Sequence, residues 1–128
     1  MSQTILVVDD SPTIVKFVSF SLRNSGFEVV TASDGMDAIE KISHLSDKVN
    51  LVITDLNMPN LDGYGLISTL RKNERYRDTP IIILTSVEGD EDRKRGMTVG
   101  ANSYLVKPFK SALLLDEVDR FLKKHTTD

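Results

Sequence analysis

Residues 51–55 read Leu-Val-Ile-Thr-Asp, a mostly apolar run that ends on a carboxylate. Two other runs are built the same way. Ile5-Leu6-Val7-Val8 leads into Asp9-Asp10, and Ile81-Ile82-Ile83-Leu84 leads into Thr85-Ser86. Unbroken apolar runs of this length suit strands covered on both faces, as the inner strands of a parallel sheet are. Outward from these runs, longer stretches with helical spacing separate one strand from the next. The alternation predicts strands at Ile5–Val8, Phe27–Thr31, Leu51–Thr54, Ile81–Thr85 and Tyr104–Val106. It predicts helices at Pro12–Asn24, about Met36–Leu45, Tyr64–Lys72, about Glu91–Val99 and Ala112–Lys124. Such alternation argues for an α/β domain of βαβ units.

Local chemistry agrees with this division. Ser11 is placed to N-cap the first helix with Pro12 at its first position, and Gly26 to end it. Ile14, Val18 and Leu22 share one face of that helix, and Leu114, Val118, Phe121 and Leu122 share one stripe of the last. Both stripes read as sheet-facing core. The fourth helix is the weakest, because Gly96, Thr98 and Val99 are poor helix formers. The second strand carries Glu28 and the fifth is short, so both suit sheet edges. Strands one, three and four inside with two and five outside is the order 2-1-3-4-5 of a doubly wound, flavodoxin-like parallel sheet with helices on both faces.

The whole chain of 128 residues is the size of one domain. Its hydrophobic and charged fractions, 40% and 27%, are those of an ordinary globular protein. The absence of cysteine excludes disulfide and thiol chemistry and fits a cytoplasmic setting. No secretory signal or membrane span is expected. A net charge of -3 gives no general attraction to nucleic acid, and Arg93-Lys94-Arg95 reads as one solvated helix face. His44 and His125 have no ligand spacing around them and are expected at the surface.

Right-handed crossovers place the exits of all the parallel strands on one edge of the sheet, where open α/β sheets bind ligands. Asp9-Asp10, Asp55, Thr85-Ser86 and Lys107 all stand at such exits. Two like charges about 4 Å apart repel by about 4 kcal/mol at an effective dielectric near 20. Three close carboxylates must therefore spread, protonate or hold a cation, and oxygen ligation suits Mg²⁺. A cation beside a carboxylate also suits phosphoryl transfer, with Asp55 as nucleophile, Lys107 on the equatorial oxygens and Thr85 bonded to the added group.

The strings LVVDDSPT, ITDLNMPNLDGYGL, IIILTS and GANSYLVKPF, with their spacing, resemble the response-regulator receiver family over nearly the whole chain, and in length the chain is nearest to its chemotaxis-type single-domain members. The 2-1-3-4-5 order is known in that family, so it adds no independent weight. The resemblance implies a two-component phosphorelay switch that takes a phosphoryl group from a histidine kinase or phosphotransfer protein onto Asp55. It implies that the switch catalyses its own phosphorylation and dephosphorylation without being an enzyme in the ordinary sense. It implies Mg²⁺ bound by Asp10, Asp55 and the backbone carbonyl of Asn57, with Asp9 assisting through water. Lys107 and Thr85 would contact the phosphoryl group, and the Lys107–Pro108 bond would be cis. Thr85 and Tyr104 would form the switch, Tyr104 turning inward on phosphorylation. The fourth helix, fifth strand and fifth helix would then signal to a protein partner, with chemotaxis one such setting. The expectation is one receiver domain over 1–128, with no output domain, acting as a monomer.

Three positions depart from the commonest pattern of the family: Gly96 where alanine is usual, and Asn102-Ser103 in place of an acidic pair. Asn57 and Val87 stand where the family tunes the lifetime of its phosphorylated state. Three other functions compete. A haloacid-dehalogenase-type phosphatase needs a second acid two residues after its nucleophile, where this chain has Asn57. A flavin mononucleotide carrier would have its phosphate repelled by Asp9-Asp10. A docking module that works without phosphorylation tends to lack one of the acidic or lysine positions, all of which are present here.

Overall fold

The computed structural model describes residues 3–122. Five strands alternate with five helices: β1 Thr4–Val8, α1 Pro12–Asn24, β2 Glu28–Ala32, α2 Gly35–Ser43, β3 Leu51–Thr54, α3 Gly63–Arg71, β4 Ile81–Thr85, α4 Asp90–Val99, β5 Ser103–Val106 and α5 Ser111–Phe121. The strands form one parallel sheet in the order β2-β1-β3-β4-β5. The edge strands are the two with the weakest apolar pattern, and the three unbroken runs lie inside, fully buried.

Period-two alternation sorts the strand residues between two cores. Leu6, Val8, Val52, Ile81, Ile83 and Tyr104 face one side, under Ala38 and Ile42 of α2 and Leu66, Ile67 and Leu70 of α3. Ile5, Val7, Leu51, Ile53, Ile82 and Leu84 face the other, under Val18 and Leu22 of α1 and Leu114 and Val118 of α5. Among the described residues no helix is long and apolar enough to cross a membrane.

Capping side chains set the helix boundaries. Ser11 Oγ accepts the Ile14 N–H at 3.4 Å, with Pro12 at the start of α1. At the other end Gly26 takes φ 94°, and the N–H groups of Gly26 and Phe27 return to the carbonyls of Arg23 and Leu22 at 3.0 and 3.1 Å. This closure recruits Phe27, which the sequence places in the second strand, so β2 begins at Glu28. Asp34 caps α2 and Asp62 caps α3, moving both helix starts one residue earlier than periodicity alone suggests. The last helix ends at Phe121 rather than Lys124, because Leu122 is extended. Lys123, Lys124 and His125 lie outside the described residues. His44 is exposed at the end of α2.

Candidate functional site

Strand register assembles the site. Val8 of β1 stands beside Thr54 of β3, so Asp9 and Asp55 leave the sheet side by side. Each is fixed by its own backbone: the Asp9 N–H donates to Ala32 O at 3.1 Å and the Asp55 N–H to Val8 O at 3.0 Å. On the far side of β4, Val106 pairs with Thr85, and the Lys107 N–H donates to Thr85 O at 2.7 Å. The Lys107–Pro108 peptide is cis. From there the Lys107 side chain reaches back across the sheet edge. Its Nζ donates to Asp9 Oδ2 at 2.8 Å and to Asp55 Oδ2 at 3.2 Å.

The remaining oxygens separate the roles of the carboxylates. Asp9 Oδ1 accepts the Ser11 N–H at 2.9 Å, so both of its oxygens are engaged. Asp55 Oδ1 accepts the Leu56 N–H at 2.6 Å. Asp10 is exposed at the mouth. Asp9, Asp10 and Asp55 each offer one oxygen, and these oxygens lie within 4.8 Å of one another. Three carboxylates against one ammonium leave an anionic excess, and an all-oxygen set with one member open to solvent suits a hard divalent cation. Asn57, whose backbone carbonyl the resemblance makes a ligand, is exposed in the loop that follows Asp55.

Burial raises the Asp9 carboxyl above its ordinary value and the Asp55 charge adds to this, while the hydrogen bonds from Lys107 and Ser11 pull against both. Burial alone would push the Lys107 ammonium down. The bond to Asp9 and the attraction of both carboxylates outweigh it and hold the amine above its ordinary value. Lys107 is therefore a fixed positive charge at this site.

The two switch candidates meet at one residue, Val87. Thr85 is fully buried at the end of β4, and its Oγ1 accepts the Val87 N–H at 3.3 Å. Tyr104 is buried, and its hydroxyl donates to the Val87 carbonyl at 2.6 Å. Tyr104 is thus already inside in this structure, whereas the sequence resemblance placed its inward turn after phosphorylation. α4 presents Gly96 beside it: a Cβ there would come within 2.6 Å of Ile83 Cδ1, while the Tyr104 ring at 3.6 Å would be in ordinary contact.

Several contributors were invisible in the sequence. The Leu56 and Ser11 amides that hold the carboxylates are backbone groups and leave no side-chain signal. Gly63 packs so tightly that a Cβ there would sit 2.2 Å from the Asp55 carbonyl oxygen. The Asp62-Gly63 pair at the start of α3 was the available clue. Arg93 and Arg95 are exposed, as expected, but they do more than face solvent. Their guanidinium groups lie over the rings of Tyr104 and Tyr64, at 4.9 and 3.8 Å from the ring centroids.

Comparison with known proteins follows the same lines. Residues 5–119 match the response regulator receiver domain. Protein PilG of Pseudomonas aeruginosa is 36% identical over 122 residues, covering 95% of this chain and 89% of PilG. Chemotaxis protein CheY4 of Vibrio cholerae superposes with a TM-score of 0.89 at 37% identity, covering 95% of this chain and all of that one. The receiver domain of a sensor histidine kinase from Pseudomonas aeruginosa PAO1, solved with a magnesium ion coordinated in its active site cleft, superposes with a TM-score of 0.86 at 32% identity over 97% of this chain. Other relatives are longer: the chain spans about half of the transcriptional regulatory protein PrrA of Mycobacterium tuberculosis, 51%.

Proposed function

The chain belongs to the response regulator receiver family, which makes it a phosphoryl-accepting switch of two-component signalling, and from that premise we propose that Asp55 is the acceptor. The observation that carries the choice is the division of contacts among the three carboxylates. Asp9 has its oxygens taken by the Lys107 ammonium and the Ser11 amide, and its side chain is 3% exposed. Asp10 is open to water and makes no contact with Lys107. Asp55 is held at one oxygen by Leu56, and the other faces the ammonium at the longer distance of 3.2 Å. That arrangement orients a nucleophile beside a fixed positive charge.

In the transfer, an Asp55 oxygen forms a bond to phosphorus as the bond from phosphorus to the donor's imidazole nitrogen breaks. The imidazole keeps the electron pair. Lys107 balances charge on the phosphoryl oxygens where it collects. Asp10, Asp55 and the Asn57 carbonyl, with Asp9 assisting through water, would hold Mg²⁺, which would supply Lewis-acid stabilisation of the same oxygens. The chain catalyses both its own phosphorylation and the later hydrolysis. Donors are a histidine kinase or a phosphotransfer protein.

The switch follows from the two bonds at Val87. A Thr85 hydroxyl that turns to the phosphoryl group gives up the Val87 N–H, and the Val87 carbonyl is the group that Tyr104 holds. Output leaves by the α4, β5 and α5 face to a protein partner. Met97 and Leu113 are left exposed there, on the flanks of β5. Leu113 lies one turn before Glu117, which accepts the Ser103 hydroxyl, and Met97 one turn after Arg93. A chemotaxis-type pathway in the cytoplasm, with the chain acting as a monomer on protein rather than nucleic acid, fits this face and the net charge of -3.

Intact-mass spectrometry after acetyl phosphate and Mg²⁺ tests the assignment. Wild type should gain one phosphoryl group and Asp55→Asn none. An equal gain in Asp55→Asn moves the acceptor elsewhere.

A further inference from the structure

Helix α4 lacks the usual means of holding a helix to a sheet. Of its ten residues only Gly96 is buried, a glycine that brings almost no apolar surface to that contact, and Val99 packs half-buried on the core at the far end. Its N-cap is Gly89, with no side chain to bond the first turn. The C-terminal end is pinned, because Arg71 Nε donates to Gly100 O at 2.9 Å. The first two turns, 90–95, are held by two tyrosine rings instead. Tyr104 of β5 lies under Arg93, and Tyr64 of α3 lies under Arg95.

The Tyr64 contact is the closer of the two, with its guanidinium carbon 3.8 Å from the ring centroid. The Tyr64 hydroxyl stands 3.3 Å from Asp92 Oδ1 and 3.4 Å from Asp92 O, and donates to one or the other. Tyr64 is 9% exposed. One side chain thus engages α4 twice, through Asp92 and through Arg95, on the same face one turn apart.

Tyr64 also follows Gly63, the residue that touches the Asp55 carbonyl. There is no gap at that contact: a Cβ would stand 2.2 Å from Asp55 O and 2.8 Å from Leu56 Cα. The same carbonyl accepts the Thr54 hydroxyl at 2.8 Å. A shift of the Asp55–Leu56 peptide therefore cannot be absorbed at Gly63 and passes into the first turn of α3, where Tyr64 stands. Packed contacts of this kind transmit displacement because the atoms on both sides are already at van der Waals distance.

We propose that Tyr64 is a positioning residue that latches the first two turns of α4 and couples them to the backbone of Asp55, along a route separate from Thr85 and Tyr104. The coupling presupposes Asp55 as the acceptor; the latch does not.

Amide hydrogen exchange on the full chain, with and without beryllofluoride and Mg²⁺, compares wild type with Tyr64→Phe and Tyr64→Leu. Without beryllofluoride, residues 90–99 should exchange about 3-fold faster in Tyr64→Phe, which loses the hydroxyl, and about 10-fold faster in Tyr64→Leu, which loses the ring as well. Amides of β1 and β3 should not move. With beryllofluoride, the response of 90–99 should shrink by about half or more in Tyr64→Leu. Unchanged α4 exchange in Tyr64→Leu, or equal acceleration in every segment, overturns the latch. A wild type indifferent to beryllofluoride overturns the acceptor assignment and the coupling, while the comparison without beryllofluoride still decides the latch.

Discussion

Replacing Arg71 with alanine should cost this domain about 2–3 kcal/mol. Arg71 is the last residue of α3, and its guanidinium is spent on the backbone. Nε donates to Gly100 O at 2.9 Å, Nη1 to Thr79 O, Arg77 O and Tyr76 O at 2.8, 3.1 and 3.2 Å, and Nη2 to Asn102 Oδ1 at 2.9 Å. Not all of these count equally. The Arg77 carbonyl is exposed and rehydrates freely. Asn102 Oδ1 keeps the Ile81 N–H at 2.8 Å. The carbonyls of Gly100, Thr79 and Tyr76 are partly buried, and each loses a charge-assisted donor, about 1.5 kcal/mol apiece. Side-chain entropy recovered on truncation, about 2 kcal/mol, offsets part of the loss. For a chain of this size the result is a melting temperature lower by about 10 °C. Urea unfolding at constant slope should show the midpoint falling by about 1–2 M. Arg71→Lys should recover no more than about half, because one ammonium cannot span the acceptors that the planar fork reaches. Exposed Arg120, paired with Glu117 at 3.0 Å, is the control, and its loss should cost about 0.5 kcal/mol or less. A loss under about 0.5 kcal/mol for Arg71→Ala, or wild-type stability for Arg71→Lys, would refute the reasoning.

Gly63→Ala should cost about 3 kcal/mol and slow phosphorylation at least about 10-fold, because the atoms it meets are backbone and cannot yield. Gly26→Ala, strained at φ 94° but with nothing within 4 Å, should cost about 1 kcal/mol and phosphorylate normally; the reverse ranking would count against the contact at Asp55. Lys107→Met should lose about 2–3 kcal/mol at neutral pH, less than a fully buried pair because the lysine side chain is 16% exposed. Mg²⁺ should then raise the melting temperature more in the variant than in wild type, and equal shifts would mean that Lys107 and the cation do not share the carboxylates. The Asp37 N–H at 2.8 Å and the Asn60 amide at 2.7 Å hold the Asp34 carboxyl below its ordinary value. Its contribution to stability is therefore present above the unfolded carboxylate range and lost as pH falls through the lowered value. Asn60→Gly keeps the left-handed backbone, φ 67° in wild type, and removes the amide. The Asp34 midpoint in a carbon-13 carboxyl titration should rise, and an unmoved midpoint would exclude the Asn60 bond as a cause.

How far the sequence could be read depended on whether a feature is local. The strand runs, the Ser11-Pro12 start of α1 and the placement of the weak strands at the edges were all legible, because each reports backbone preference or burial over a few neighbouring residues. Boundaries moved where a cap overrode periodicity, at Asp34, Asp62 and Phe27. The strand-end carboxylates and Lys107 were legible as candidates because the topology of a parallel sheet collects all its exits on one edge.

Which of them touch was a different matter. The bond from Lys107 to Asp9 spans 98 residues, and it exists because β1, β3, β4 and β5 lie in one particular register. Arg93 and Arg95 looked like solvated charge because periodicity records where apolar residues fall on α4, not which rings α3 and β5 bring beneath it. The amino-acid order alone determined the elements, their sequence and the chemical groups at the sheet edge. Tertiary structure decided which oxygen meets the ammonium, how close Gly63 stands to Asp55 and what holds α4. Those are distances between segments remote in the chain, and a one-dimensional pattern of propensity and burial carries no term for them.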